Sequence, residues 1–139
     1  MIRFATATLA GLLTVLAGYW LSGQLLWLAI PGAYSVNMWN FTATGVHLAL
    51  VFAQTVIVLV AGGIVAAFLT AKRGIEASVV VGMIYTGFGL RGILMSTDDF
   101  YPAWWKVTLV LIAVPAAFFG GVLVAQSRQR FARRAMLGT

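Results

Sequence analysis

The chain has 139 residues and a net charge of +6, with 62% hydrophobic and only 9% charged residues. A soluble domain carries about 25% charged residues, so this composition excludes a water-exposed surface of the usual kind. The length fits a single domain. The absence of cysteine excludes thiolate catalysis and cysteine-ligated metals. We therefore predict an all-α integral membrane protein.

Four apolar segments are long enough to cross a bilayer, because a core of about 30 Å takes roughly 20 helical residues. They lie near residues 4–29, 43–70, 76–96 and 103–126. The first is longer than the apolar region of a secretory signal, so we interpret it as a retained helix. We expect residues 1–126 to form an antiparallel four-helix transmembrane bundle and residues 127–139 to form a basic cytoplasmic tail.

The distribution of lysine and arginine predicts the orientation of the bundle. One predicted side carries Arg3, Lys72, Arg73, Arg128, Arg130, Arg133 and Arg134. The other carries Lys106 and the acidic pair Asp98 and Asp99. Positive residues favour the cytoplasmic side, so we expect both termini there, in a bacterial inner membrane. We also expect the arginines at 128, 130, 133 and 134 to bind lipid headgroups.

The tryptophans fall in the predicted outer half of the bundle, and they are Trp20, Trp27, Trp39, Trp104 and Trp105. Tyr19 and Tyr101 map to the same half, whereas Tyr85 does not. Aromatic rings with a polar group favour the headgroup boundary. This belt either anchors the bundle or forms an outward surface that holds a lipid, a quinone or a partner helix.

Arg91 lies inside the third predicted span, whereas Glu76 and Lys106 lie near the ends of their spans. A charge inside a membrane helix costs from about 2.5 to more than 10 kcal/mol unless it is paired or reaches the interface. On a helical wheel Arg91 lies opposite the small residues Ser78, Gly82 and Thr86. We expect it either to extend toward headgroups or to contact a partner or ligand.

Three uncharged polar residues lie at a similar level. His47 and Gln54 share one face of the second helix, and Gln24 lies near the outer end of the first. The alternatives are interhelical hydrogen bonds, or contact with a partner or ligand. The chain has no second histidine, and a metal site needs more ligands than one, so we predict no metal site and no cofactor.

Small residues recur four apart, a spacing that lets membrane helices approach closely. In the first helix they are Thr6, Ala10, Thr14, Gly18 and Ser22, and in the fourth they are Ala113, Ala117, Gly121 and Ala125. These ridges either pack the bundle internally or bind other subunits.

These patterns favour a noncatalytic accessory or assembly subunit of a larger membrane complex, not an enzyme. A small oligomeric transporter or channel for an anion or polar headgroup is the second hypothesis, and a lipid- or quinone-contacting module is the third. Expected partners are membrane lipids and either other membrane subunits or further copies of the chain. We expect no nucleic-acid binding, because the basic residues lie at the ends of apolar segments.

Overall fold

A computed structural model describes residues 1–29, 45–70, 72–95 and 101–137, without the side chains at 26, 27, 29, 134, 136 and 137. Within these residues the chain is helical and contains no strand. The helices are α1 (Ile2–Ala29), α2 (Gly45–Leu69), α3 (Gly74–Met95) and α4 (Ala103–Leu137). All four are long and apolar enough to cross a membrane. The prediction of four helices with the length and composition of membrane spans is thus confirmed.

The helix lengths match a bilayer except in α4. The shortest helix, α3, has 22 residues, or about 33 Å at 1.5 Å per residue, against a hydrocarbon core of about 30 Å. The fourth has 35 residues, or about 52 Å. It therefore continues beyond the predicted end of the span at residue 126, and the basic segment is helical as far as Leu137.

Two helices occupy the middle of the packing, since α2 and α3 contact each other and each contacts both α1 and α4. Close contacts occur at glycines. A Cβ added at Gly11 would lie 2.8 Å from the carbonyl oxygen of Gly62, and one added at Gly82 would lie 2.8 Å from the Cα of Val114. One added at Gly63 would overlap the carbonyl oxygen of Ala117. Missing side chains thus allow the helix backbones to approach, as in other membrane bundles.

The buried face of α1 differs from the predicted ridge. Ala7, Gly11 and Val15 are buried, whereas Thr6 is exposed. The ridge therefore lies one residue further along than predicted in the first half of α1. In the second half Gly18, a residue of the predicted ridge, lies next to Val58. The sequence pattern was ambiguous here because Thr, Ala and Gly are all small, and both registers place small residues four apart.

The centre of the bundle contains both aliphatic and hydroxyl side chains. The largest fully buried side chains are Leu59, Val15, Val81, Thr55 and Ser78. Ser78 Oγ lies 2.8 Å from the carbonyl oxygen of Gly63 on α2 and 2.9 Å from that of Gly74 on its own helix. A hydroxyl can therefore be buried here without losing its hydrogen bond, which is the condition for placing a polar group in an apolar interior.

Candidate functional site

Three hydroxyl groups from three helices form a chain of hydrogen bonds inside the bundle. Tyr19 Oη donates to Thr55 Oγ1 at 2.6 Å, and Thr55 Oγ1 donates to the carbonyl oxygen of Val51 at 2.8 Å. The oxygens of Tyr19 and Tyr85 are also 2.6 Å apart. Because the Tyr19 proton is directed to Thr55, Tyr85 is the donor to Tyr19. The hydroxyl chain therefore runs in one direction from α3 through α1 to α2.

The two tyrosine rings of this chain are parallel. Their centroids lie 5.8 Å apart and their planes differ by 1°, within the range for favourable aromatic pairs. Both side chains are partly buried. The prediction that Tyr19 belongs to the outer belt with the tryptophans is therefore wrong for its hydroxyl, which points into the bundle toward Thr55 and Tyr85.

Gln54 extends this polar cluster along α1. Its Nε2 donates to Ser22 Oγ at 2.8 Å and approaches the carbonyl oxygen of Tyr19 at 3.3 Å. Both contacts join α2 to α1. The structure thus gives Gln54 an interhelical bonding role, one of the two alternatives from sequence, and its contact with an external partner stays a prediction.

His47 lies on the same predicted face of α2 as Gln54, but it contacts a different part of the chain. It is 5% exposed, and its Nε2 is 2.8 Å from the hydroxyl oxygen of Tyr101, just before α4. The two rings stack with centroids 5.7 Å apart. His47 and Gln54 therefore join α2 to different parts of the chain and do not form one site.

Arg91 is exposed on α3, on the side away from buried Ser78 and Gly82. Its Nε lies 3.3 Å from the sulfur of Met95, one turn along. This position agrees with the helical wheel, which placed Arg91 opposite the small residues of α3. Gln24 is also exposed, on α1. The four predicted contact residues therefore divide into an inner pair, His47 and Gln54, and an outer pair, Arg91 and Gln24.

The tryptophans have different surroundings. Trp20 and Trp104 are 70% and 61% exposed, but Trp105 is 7% exposed and packs on Phe52 with ring centroids 5.8 Å apart. Within the described residues its indole N–H has no hydrogen-bond partner. Trp105 is therefore part of the helix packing rather than an outward ring. Trp39, Asp98, Asp99 and the side chain of Trp27 lie outside what the structure describes.

The basic residues of α4 also differ from one another. The Arg128 guanidinium donates to the carbonyl oxygens of Thr70, Ala67 and Phe68 at 3.0, 3.2 and 2.8 Å. These are carbonyls of the last turn of α2 and the residue after it, where the regular hydrogen bonds of the helix end; the carbonyl oxygen of Ala67 also accepts from the Thr70 N–H at 3.3 Å. Arg128 therefore caps α2 from α4, a role that the sequence did not reveal.

Further along α4, Arg130 and Arg133 are exposed and line a separate hollow with Gln126 and Gln129. The side chain of Arg134 lies outside the described part of the chain. Binding of headgroups by these arginines stays a prediction.

Four helices long and apolar enough to cross a membrane fit the class of multi-pass helical membrane proteins. Comparisons with protein-family models, curated proteins and solved structures find no match to this chain. In the described residues no group of three or more His, Asp or Glu side chains is placed to hold a metal ion.

Proposed function

We propose that this protein is a noncatalytic accessory or assembly subunit of a larger membrane complex, and that Arg91 binds an acidic group on a partner's transmembrane segment. The observation that carries the proposal is the exposure of Arg91 on a helix that is long and apolar enough to cross a membrane. An exposed charge at that depth is costly unless a partner or the interface satisfies it. The hydroxyls of Tyr19, Thr55 and Tyr85 in the interior, by contrast, are satisfied by one another and by the backbone.

The surface around Arg91 supports a helix as the partner. Gly87 lies one turn before it and is exposed, with no atom within 4 Å of the position of an added Cβ. The large apolar side chains of Met83 and Leu94 are exposed nearby at 59% and 84%. A small residue between apolar ones is the pattern that lets a second membrane helix approach. Arginine beside that approach adds charge complementarity to a carboxylate.

We also propose an antiparallel bundle with both termini in the cytoplasm of a bacterial cell. The order of contacts supports the first part: Gly11 lies against Gly62, and Gly18 against Val58, so position increases along α1 as it decreases along α2. The distribution of basic residues supports the second part. Because the chain has no cysteine, single cysteines at positions 37, 73, 98 and 132 can be tested with an impermeant reagent. Labelling of 73 from outside intact cells would refute this orientation.

Arg91→Lys and Arg91→Leu test the subunit proposal. Arginine presents a planar fork to a carboxylate, whereas lysine presents a point charge. Either residue can extend to lipid phosphate. We therefore expect Arg91→Lys to weaken co-purification of the partner and Arg91→Leu to abolish it, with thermal stability of the isolated protein unchanged in detergent. Lys106→Gln, which removes a positive charge from α4, is the charge control and should leave co-purification unchanged.

A charge exchange identifies the acceptor. Once the co-purifying partner is known, Arg91→Glu should abolish association, and replacing the correct partner carboxylate by arginine should restore it. Equal association of the wild type and both Arg91 variants would instead leave Arg91 as a lipid-facing residue. A discrete homo-oligomer with no second protein would favour the transporter hypothesis, and a monomer that retains only lipid would favour the lipid-contacting module.

A further inference from the structure

A cavity of about 310 Å³ opens between the α2–α3 turn and α4. Its charged lining consists of Lys72, Arg73, Arg128 and Glu76, so the positive charges outnumber the negative one. The Glu76 carboxylate lies 3.6 Å from Arg73 Nε and partly neutralises that cation. Even so, the excess positive charge would attract an anion.

Arg128 is already fixed in position by the carbonyl oxygens at the end of α2. Immobilising a long side chain on binding costs about 0.5–1.5 kcal/mol, and much of that cost is already met in the folded protein. The α4 wall of the cavity beside Arg128 includes the small residues Gly121 and Ala125 together with Val124. The volume also exceeds the roughly 30 Å³ of one water several times over, so a hydrated phosphate group fits.

An apolar groove of about 290 Å³ adjoins this cavity on the α2–α4 surface. Ile64, Phe68, Leu123 and Phe131 line it, and it shares Arg128 with the cavity. Phe68 and Phe131 are 70% and 72% exposed, so both rings are open to contact from outside the bundle. A cationic cavity and an apolar groove therefore meet at one arginine, at the end of helices long enough to span a membrane.

We propose that this end of the bundle binds one anionic phospholipid, with its phosphate in the cationic cavity and an acyl chain in the groove. A soluble anion would use the cavity alone, whereas a phospholipid has both an anionic group and an apolar chain. Basic pockets between helices at the cytoplasmic side suit anionic headgroups. This lipid site is independent of the partner surface around Arg91, which lies on the outward half of α3.

The headgroup part is tested by native mass spectrometry of the detergent-purified protein with phosphatidylglycerol and phosphatidylcholine of identical acyl chains. We expect the wild type to bind phosphatidylglycerol about tenfold more tightly, given the attraction expected of basic residues at a membrane surface. Lys72→Gln with Arg73→Gln should reduce the preference to about twofold or less. Arg130→Gln with Arg133→Gln removes the same charge from the same end but outside the cavity. It measures the general headgroup attraction expected of those two residues, and it should keep more of the preference than the cavity variant does.

Two results of this binding measurement would contradict the proposed lipid site. If the wild type shows no preference, or both double variants lose it equally, the specific site is overturned. A competition experiment separates a lipid from a soluble anion. Inorganic phosphate and glycerophosphoglycerol should not displace bound phosphatidylglycerol, even at concentrations far above that of the lipid. Displacement by either would show a soluble-anion site and contradict the lipid proposal. Arg91→Leu should keep the lipid preference whether or not it loses its partner.

The groove part is tested by Ser127→Trp, which places a large ring in the groove from an exposed position and leaves every cationic residue in place. We expect it to weaken phosphatidylglycerol binding about tenfold while the protein stays folded. Leu111→Trp is the control, because residue 111 is exposed on α4 away from the groove. Equal binding by the two tryptophan variants would overturn the acyl-chain part of the proposal.

Discussion

The end of the bundle at the α2–α3 turn and the middle of the bundle use polar groups in different ways. At the α2–α3 turn, the charged Arg128 binds backbone carbonyls at the surface. In the middle, neutral hydroxyls from Tyr19, Thr55 and Tyr85 bond one another. Burying a charge costs far more than burying a hydrogen-bonded hydroxyl, so charges are tolerated where water or headgroups are near and neutral groups are used further in.

Arg91 does not fit this pattern. It is a charged residue on a helix of membrane-spanning length, and among the residues that the structure describes no acidic side chain pairs with it. Its Nε contacts the sulfur of Met95, which is a weak acceptor. Arg91 therefore differs from the polar groups that bond within the fold, and the proposed partner contact would account for its exposure. The following variants measure how far that difference holds.

The largest effect is expected where backbones touch. Gly63→Ala places a methyl group against the carbonyl oxygen of Ala117, whereas Gly87→Ala places one in open space. Both variants gain the same helix propensity, up to about 1 kcal/mol, so their difference reports packing alone. We expect Gly63→Ala to lower the free energy of unfolding by about 1–3 kcal/mol and Gly87→Ala to leave it unchanged or raised. Unfolding in mixed detergent micelles is the measurement, and equal responses would contradict the close α2–α4 contact.

Arg128→Gln should have the next largest effect. It removes donors from three carbonyl oxygens and a positive charge from the C-terminus of α2, where a cation is favourable. We expect a loss of about 1–2 kcal/mol, since bonds to charged groups are worth about 1.5–3 kcal/mol and this one is partly exposed. Arg130→Gln, two residues away and exposed, should change stability by less than about 0.5 kcal/mol. Similar losses in both variants would indicate a general charge effect rather than a cap.

The hydroxyl chain predicts unequal effects for its two tyrosines. Tyr19→Phe removes bonds to both Thr55 and Tyr85, whereas Tyr85→Phe removes only the bond to Tyr19. Polar contacts between membrane helices contribute on average about 0.6 and at most about 1.7 kcal/mol. We expect Tyr19→Phe to approach the upper value and Tyr85→Phe to remain near the average. A larger loss for Tyr85→Phe would show that Tyr19 is not the centre of the chain.

The sequence predicted the four spans because hydropathy and length are properties of single segments. It also located the exposed face of α3 at Arg91, since a wheel depends only on helical geometry. Pairings across helices were not accessible in the same way. Tyr85 was noticeable as the one tyrosine away from the outer half, and a buried phenol usually needs a partner, but nothing in the sequence identified Tyr19 as that partner.

The same limit explains the misplaced face of α1 and the unrecognised cap. Small residues occur in two registers of α1, and only contacts with Gly62 and Val58 select between them. Arg128 seemed equivalent to the other tail arginines because all follow the apolar part of α4. Its distinction depends on α4 remaining helical past residue 126, which brings Arg128 level with the end of α2.

The smallest effect is expected for the ion pair of Arg73 and Glu76, and it sharpens the contrast with Arg128 at the same end of the bundle. The closest atoms are 3.6 Å apart, and the side chains are 71% and 64% exposed. Arg73 lies just before α3, and exposed ion pairs contribute only about 0.2–1 kcal/mol. Glu76 also lies in the first turn of α3, where a negative charge is favourable by itself.

A double-mutant cycle of Arg73→Gln and Glu76→Gln removes that helix term and isolates the pair. We expect a coupling below about 0.5 kcal/mol that decreases further at high salt, because screening weakens exposed pairs most. A coupling above about 1 kcal/mol would mean that the turn is ordered by its ion pair as well as by Arg128.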